Sequence, residues 1–212
     1  EYREAGVEEG LRAIAALCGH PSTARFLATK LARHFVADEP PPEAVDRLAR
    51  RWIETDGDLS EVSRELIDLD EAWDPALRKF RTPQDWITAM LRAVGARDVP
   101  EPVGRLLQQL RQPLWAPTSP KGYGDTKGEW ADPDSLLNRA ELARSTADRL
   151  VAARRGRGQG GGRAASAVDP SRLLDVVDIS AGDPLGGLLT DDAISADERT
   201  ALVFGGPAFQ WR

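Results

Sequence analysis

Four groups of residues have the types that catalysis or ligand binding uses. The only histidines, His20 and His34, are 14 residues apart on what reads as one helix. They would share a face yet lie about 21 Å apart at 1.5 Å per residue, too far to hold one metal or act on one bond. In "TDGDLSE", residues 55 to 61, Asp56 and Asp58 flank a glycine as they do in calcium loops. A calcium loop needs more oxygen ligands at regular spacing and a terminal bidentate carboxylate, so a turn at Gly57 and a helix cap at Asp58 account for this segment. Cys18 is the single cysteine; it has no disulfide partner or companion ligand and reads as a buried structural thiol. No metal site, cofactor site or catalytic residue follows from these groups.

The fourth group is a loop. "LWAPTSPKGYGDTKGEWADP", residues 114 to 133, places Trp115, Tyr123 and Trp130 among prolines and glycines with neither helical nor strand periodicity. Connections this long in compact domains usually bind or cover something, or are disordered. Trp115 and Trp130 adjoin helices and are expected to be buried anchors that order the loop, with Tyr123 between two glycines at its exposed apex. Tyr123, Trp115, Trp130, Asp125 and Glu129 form the candidate binding set: aromatics on which a sugar or an apolar protein patch stacks, with carboxylates for polar contacts. Asp125 and Glu129 would serve as an acid/base pair only if held at a fixed separation. Lys121 and Lys127 match no phosphate motif, since no glycine-rich cradle precedes them.

The elements that must position this loop are helices. Proline suits the first helical position, where its fixed φ is favourable and its missing N–H would have no partner anyway. It stands there repeatedly, at Pro21, Pro41-Pro42, Pro83, Pro133 and Pro170. Behind these starts run apolar stripes such as Val45, Leu48, Trp52 and Ile53, or Trp86, Ile87, Met90, Leu91 and Val94, at spacings that face one side of a helix. Asp58 with Glu61 and Ser195 with Glu198 have the spacing of capping boxes, and Thr82 with Asp85 a looser version. The one short β-branched run is Val176-Val177-Asp178-Ile179. The fold class expected is mainly α, an irregular multi-helical arrangement of roughly seven to nine helices with one long Pro/Gly/aromatic loop and no substantial sheet.

Composition bounds what surrounds the helices. The 212 residues are 41% hydrophobic and 29% charged, enough for a real core. A net charge of −6 disfavours a nucleic-acid binder, which needs a basic face. No run approaches the roughly 18 apolar residues of a membrane span. The arginine- and glycine-rich segment 154–166 has too little apolar surface to offset ordering entropy and reads as a flexible linker. The organisation expected is a helical domain over 1–153 containing the loop 113–132, a linker over 154–167, and a C-terminal helical segment, 168–212, packing back on the main domain. The first residue is Glu1 and the only methionine is Met90, so more chain is expected upstream.

Several segments in order, "HPSTARFLATKLARHFVADEPPPEAVDRLARRW", "TDGDLSEV", "TPQDWITAMLRAVG", "QPLWAPTSPKGY", "DPDSLLNRAEL" and "GGPAFQWR", resemble the bacterial family known as domain of unknown function 1800, in its C-terminal part. The resemblance carries no catalytic residues. It implies an exported, periplasmic or extracellular protein and, from the genes that often lie beside family members, a sulfatase-like neighbour as partner. The chain departs from the family pattern at Tyr123, where a tryptophan is common, and in the closing "GGPAFQ". The function expected is a helical interaction or structural module of a larger exported protein with a protein partner. The alternative is part of a secreted glycan-binding protein or hydrolase acting through the loop 114–130.

Overall fold

The structure, a computed structural model, describes residues 6–93, 103–157, 177, 179 and 184–212, with only the backbone of 149–157. It is mainly helical, and the described residues hold no strand beyond one isolated antiparallel bridge between Phe80 and Trp211. Ten α-helices are present among them, more than composition suggested, because short helices such as Lys127–Trp130 bear no periodic signature. Val177 and Ile179 of the β-branched run are outside any strand, and its other residues lie outside those described. The chain divides into two compact units, Glu1–Lys79 and Phe80–Arg212, within the stretch that composition presents as one domain.

The first unit contains α1 (Val7–Cys18), α2 (Pro21–Phe35), α3 (Pro42–Glu54) and α4 (Leu59–Ile67). On α2, Ala24, Ala28 and Ala32 are buried at successive i+4 positions, a row of small side chains that lets another helix approach closely. They form one core with Val45, Leu48 and Trp52 of α3 and with Val62 and Leu66 of α4. The stripe read on α3 is narrower than expected, since Ile53 is 55% exposed. His20 is the N-cap of α2, its Nδ1 accepting from the Ser22 amide at 3.1 Å. Both histidines are exposed.

The turn after α3 uses Gly57 at φ +80°, where a Cβ would stand 3.3 Å from the Trp52 indole. Asp58 then caps α4, accepting from the Ser60 and Glu61 amides at 2.8 and 3.2 Å. Glu61 does not complete the box. Its carboxylate pairs instead with Arg51 and Arg64, because charged donors compete well against one backbone N–H. Cys18 is exposed rather than buried, for α1 has no buried residue at all. Lys79 is buried and donates to Asp38 at 2.6 Å, meeting the rule that buried charges are paired.

The second unit contains α5 (Pro83–Ala93), α6 (Val103–Gln109), α7 (Lys127–Trp130), α8 (Pro133–Arg157), α9 (Pro184–Thr190) and α10 (Ala196–Gly205). Trp86, Ile87 and Met90 of α5 join Leu106 and Leu107 of α6, Leu142 and Ala143 of α8, and Val203 and Phe204 of α10 in its core. At Gly205 a Cβ would come 3.4 Å from the Ala140 Cα, so the lack of a side chain favours the close α8–α10 crossing. Ser195 and Glu198 form the complete capping box of α10. Of the proposed linker, residues 154–157 continue the backbone of α8, and 158–166 lie outside the described residues, as does the start read at Pro170.

Candidate functional site

The loop 113–132 leaves α6 through a left-handed residue, Arg111 at φ +63°. This lets the Gln112 amide donate back to the Leu107 carbonyl at 2.8 Å, closing the helix end. The buried Gln112 side chain accepts from the Gln84 amide at 2.8 Å, which ties the loop entrance to the first turn of α5. At the exit, Asp132 caps α8 by accepting from the Ser135 amide at 3.1 Å. Arg111 pairs with Asp132 and also donates to Ser135 Oγ at 2.7 Å. Entrance and exit are thereby joined. Hydrogen bonds from Ser135, side chain first and then backbone, together with Arg111, hold the Asp132 carboxyl below the usual carboxylate range.

Between those ends the two tryptophans have opposite fates. Trp130, on α7, is 5% exposed, and its Nε1 donates to the Gly124 carbonyl at 3.0 Å. It is the expected anchor. Trp115 is not: it is 97% exposed and sits at φ +58°. The left-handed backbone turns its side chain outward, beside Leu114, itself 51% exposed. Tyr123 corrects the second expectation. Rather than standing exposed at an apex, it is half-buried, with its ring 6.2 Å from that of Trp130 and its hydroxyl donating to the Pro113 carbonyl. That bond fastens the two limbs of the loop, with Gly122 at φ +87° supplying the turn.

The carboxylates follow the same fold. Glu129 is exposed, and its carboxylate packs against the Gly124 backbone so closely that a Cβ there would fall 0.5 Å from Oε2. Asp125 is half-buried. Lys121 is exposed, and the Lys127 ammonium lies 5.3 Å from the centre of the Trp211 ring. Among the described residues no group of His, Cys, Asp and Glu could hold a metal ion, and no helix is long and apolar enough to cross a membrane.

A second locus was missed from sequence. Arg139 of α8 is 1% exposed. Its Nη1 donates to Gln210 Oε1 at 2.8 Å, and its Nη2 to the Arg81 carbonyl at 2.9 Å. The guanidinium carbon lies 5.0 Å from the Phe80 ring centre and 5.9 Å from that of Trp86. Gln210 donates in turn to the Phe204 and Gly206 carbonyls, each at 3.1 Å. Burial, and then the nearby Arg81 charge, push the Arg139 guanidinium down to about 10, so it stays charged at neutral pH and cannot act as a general base there. Its chemistry is that of a clasp. Residues of "TPQDW", "DPDSLLNRAEL" and "GGPAFQWR" meet in it through Trp86, Arg139 and Gln210, which ties three of the resembling segments to one packing arrangement. Its neighbours in sequence, Asn138 and Ala140, carry no signal of it.

No curated protein and no solved structure shows significant similarity to the chain. Over residues 1–210 it matches the family described as Protein of unknown function (DUF1800). The ordered segments and this match agree, and the chain belongs to the DUF1800 family.

Proposed function

We propose that this chain is a protein-interaction module of a larger exported bacterial protein, and that it engages its partner through Leu114 and Trp115. One observation carries the reading. Trp115 combines a left-handed backbone with 97% exposure. A left-handed conformation costs a bulky residue on the order of 1–3 kcal/mol, and among the described residues no burial of the indole offsets it. Ordered loops that hold a large aromatic outward supply rigid anchors for interfaces at low entropic cost. The Tyr123 and Trp130 hydrogen bonds support this reading because they fasten the loop behind the exposed side chain.

Export, and a sulfatase-like neighbour as first partner to try, rest on the family resemblance. A photo-crosslinking amino acid at position 115 of the full-length protein in its native host should give a discrete protein adduct, and one at position 123 should not. Trp115→Ala should remove the complex without lowering the melting temperature, whereas Trp130→Ala should lower it. Absence of any adduct at 115 would defeat the proposal. The fully exposed indole also favours a second reading, a sugar ring stacked on it, which a Trp115-dependent signal on a glycan array would establish in place of the first.

A further inference from the structure

We infer that the partner segment received at Leu114–Trp115 is acidic, an apolar side chain flanked by carboxylates; this rests on the interaction reading above and adds the chemistry of the partner. The chain as a whole carries a net charge of −6, yet residues 103–124 contain Arg105, Arg111 and Lys121 and no aspartate or glutamate. All three basic residues are exposed. The apolar pair lies against α6 and shares its loop with Lys121: the Leu114 side chain reaches α6, where a Cβ on Gly104 would meet it at 3.9 Å. Arg105 is the next residue of that helix.

Among the described residues, Arg111 is held through Nη2, which Ser135 and Asp132 engage, while 58% of its side chain remains exposed. A guanidinium fixed in this way forms charge-assisted hydrogen bonds with less ordering cost than a free one. An apolar centre with a basic rim matches a segment whose hydrophobic residue packs on the indole while its carboxylates face the rim. A basic segment would meet like charge at the rim and be rejected.

The probe is a phage-displayed library of random peptides of about 12 residues, panned on the whole chain and counter-panned on Trp115→Ala. Enriched sequences that need Trp115 should carry an aromatic or large aliphatic residue with aspartate or glutamate on both sides. A synthetic copy should bind Trp115→Ala at least about 30-fold more weakly, as for an aromatic interface anchor. It should bind the Arg105→Ala/Lys121→Ala double variant several-fold more weakly and lose affinity as salt rises. These side chains are exposed, so the variants should melt with the wild type, which separates lost binding from lost folding. Trp115-dependent peptides with no acidic bias, or with undiminished binding to the double variant, would overturn the acidic partner and leave the interaction reading standing. Failure to enrich any Trp115-dependent peptide would overturn both.

Discussion

Gln210→Ala should cost the second unit about 2–3 kcal/mol of stability. The magnitude follows from three hydrogen bonds. Gln210 Oε1 receives Arg139 Nη1 at 2.8 Å, and Nε2 donates to the Phe204 and Gly206 carbonyls at 3.1 Å each. A bond to a charged group contributes about 1.5–3 kcal/mol, and leaving a buried donor unpaired costs about 1–3 kcal/mol. The Phe204 carbonyl keeps a second donor, Trp86 Nε1 at 3.1 Å, and the Gly206 carbonyl, at the N-cap of the closing 3-10 turn Pro207–Gln210, keeps the first N–H of that turn, so only the Arg139 Nη1 loses its partner. Gln210→Glu separates the two contributions, because its carboxylate accepts from Arg139 but cannot donate to the Gly206 carbonyl. It should fall between wild type and alanine. In urea, with a slope of about 2 kcal/mol per molar, the alanine midpoint should drop by about 1–1.5 M. Tryptophan fluorescence and amide exchange in α8 and α10 give independent readouts. A loss below about 1 kcal/mol would show that Arg139 finds water or another acceptor, and that the clasp does not hold this unit together.

Other outcomes follow from the two cores and from the loop exit. Trp86→Ala and Trp52→Ala, at sites 0% and 8% exposed, should each destabilise by about 3–5 kcal/mol; a denaturant titration showing under about 1 kcal/mol would contradict the packing of α5 or α3. The Asp132 carboxyl is depressed by Ser135 and Arg111, so it favours the folded state above its ordinary range, near pH 4. That contribution should disappear as pH falls through its lowered folded value. Asp132→Asn keeps an N-cap but should flatten this part of the acid limb in melting temperatures recorded between about pH 5 and 2; an unchanged acid limb would remove the assignment.

How much was legible in sequence depended on whether a signal was local. The helical class, the starts at Pro21, Pro42, Pro83 and Pro133, and the caps at Asp58 and Ser195 were all readable, because a cap or a first-turn proline acts within a few residues of itself. The core positions Trp52, Trp86, Ile87 and Met90 were readable too, since a 3.6-residue period names a face without naming its neighbour. Glu61 shows the limit of such rules: its spacing from Asp58 suits a capping box, but Arg51 across the α3–α4 turn takes the carboxylate.

The loop depended on distant parts of the chain. Composition marked residues 114–130 as the place to look and found the anchor at Trp130. It could not tell Trp115 from Trp130, because both are large aromatics beside helices, and the difference lies in the backbone: φ +58° at Trp115 turns the indole outward, whereas α7 turns Trp130 inward. Tyr123 likewise looked free between two glycines until folding brought the Pro113 carbonyl to its hydroxyl. Arg139 is the extreme case. An arginine on a long helix reads as solvated, and only the return of Gln210, 71 residues later, together with Phe80 and Trp86, makes its burial tolerable. Local chemistry therefore determined which segments are helices and where they begin. Which polar and aromatic side chains are enclosed and which one is left exposed was decided by contacts between residues far apart in sequence, whose partners no short window contains.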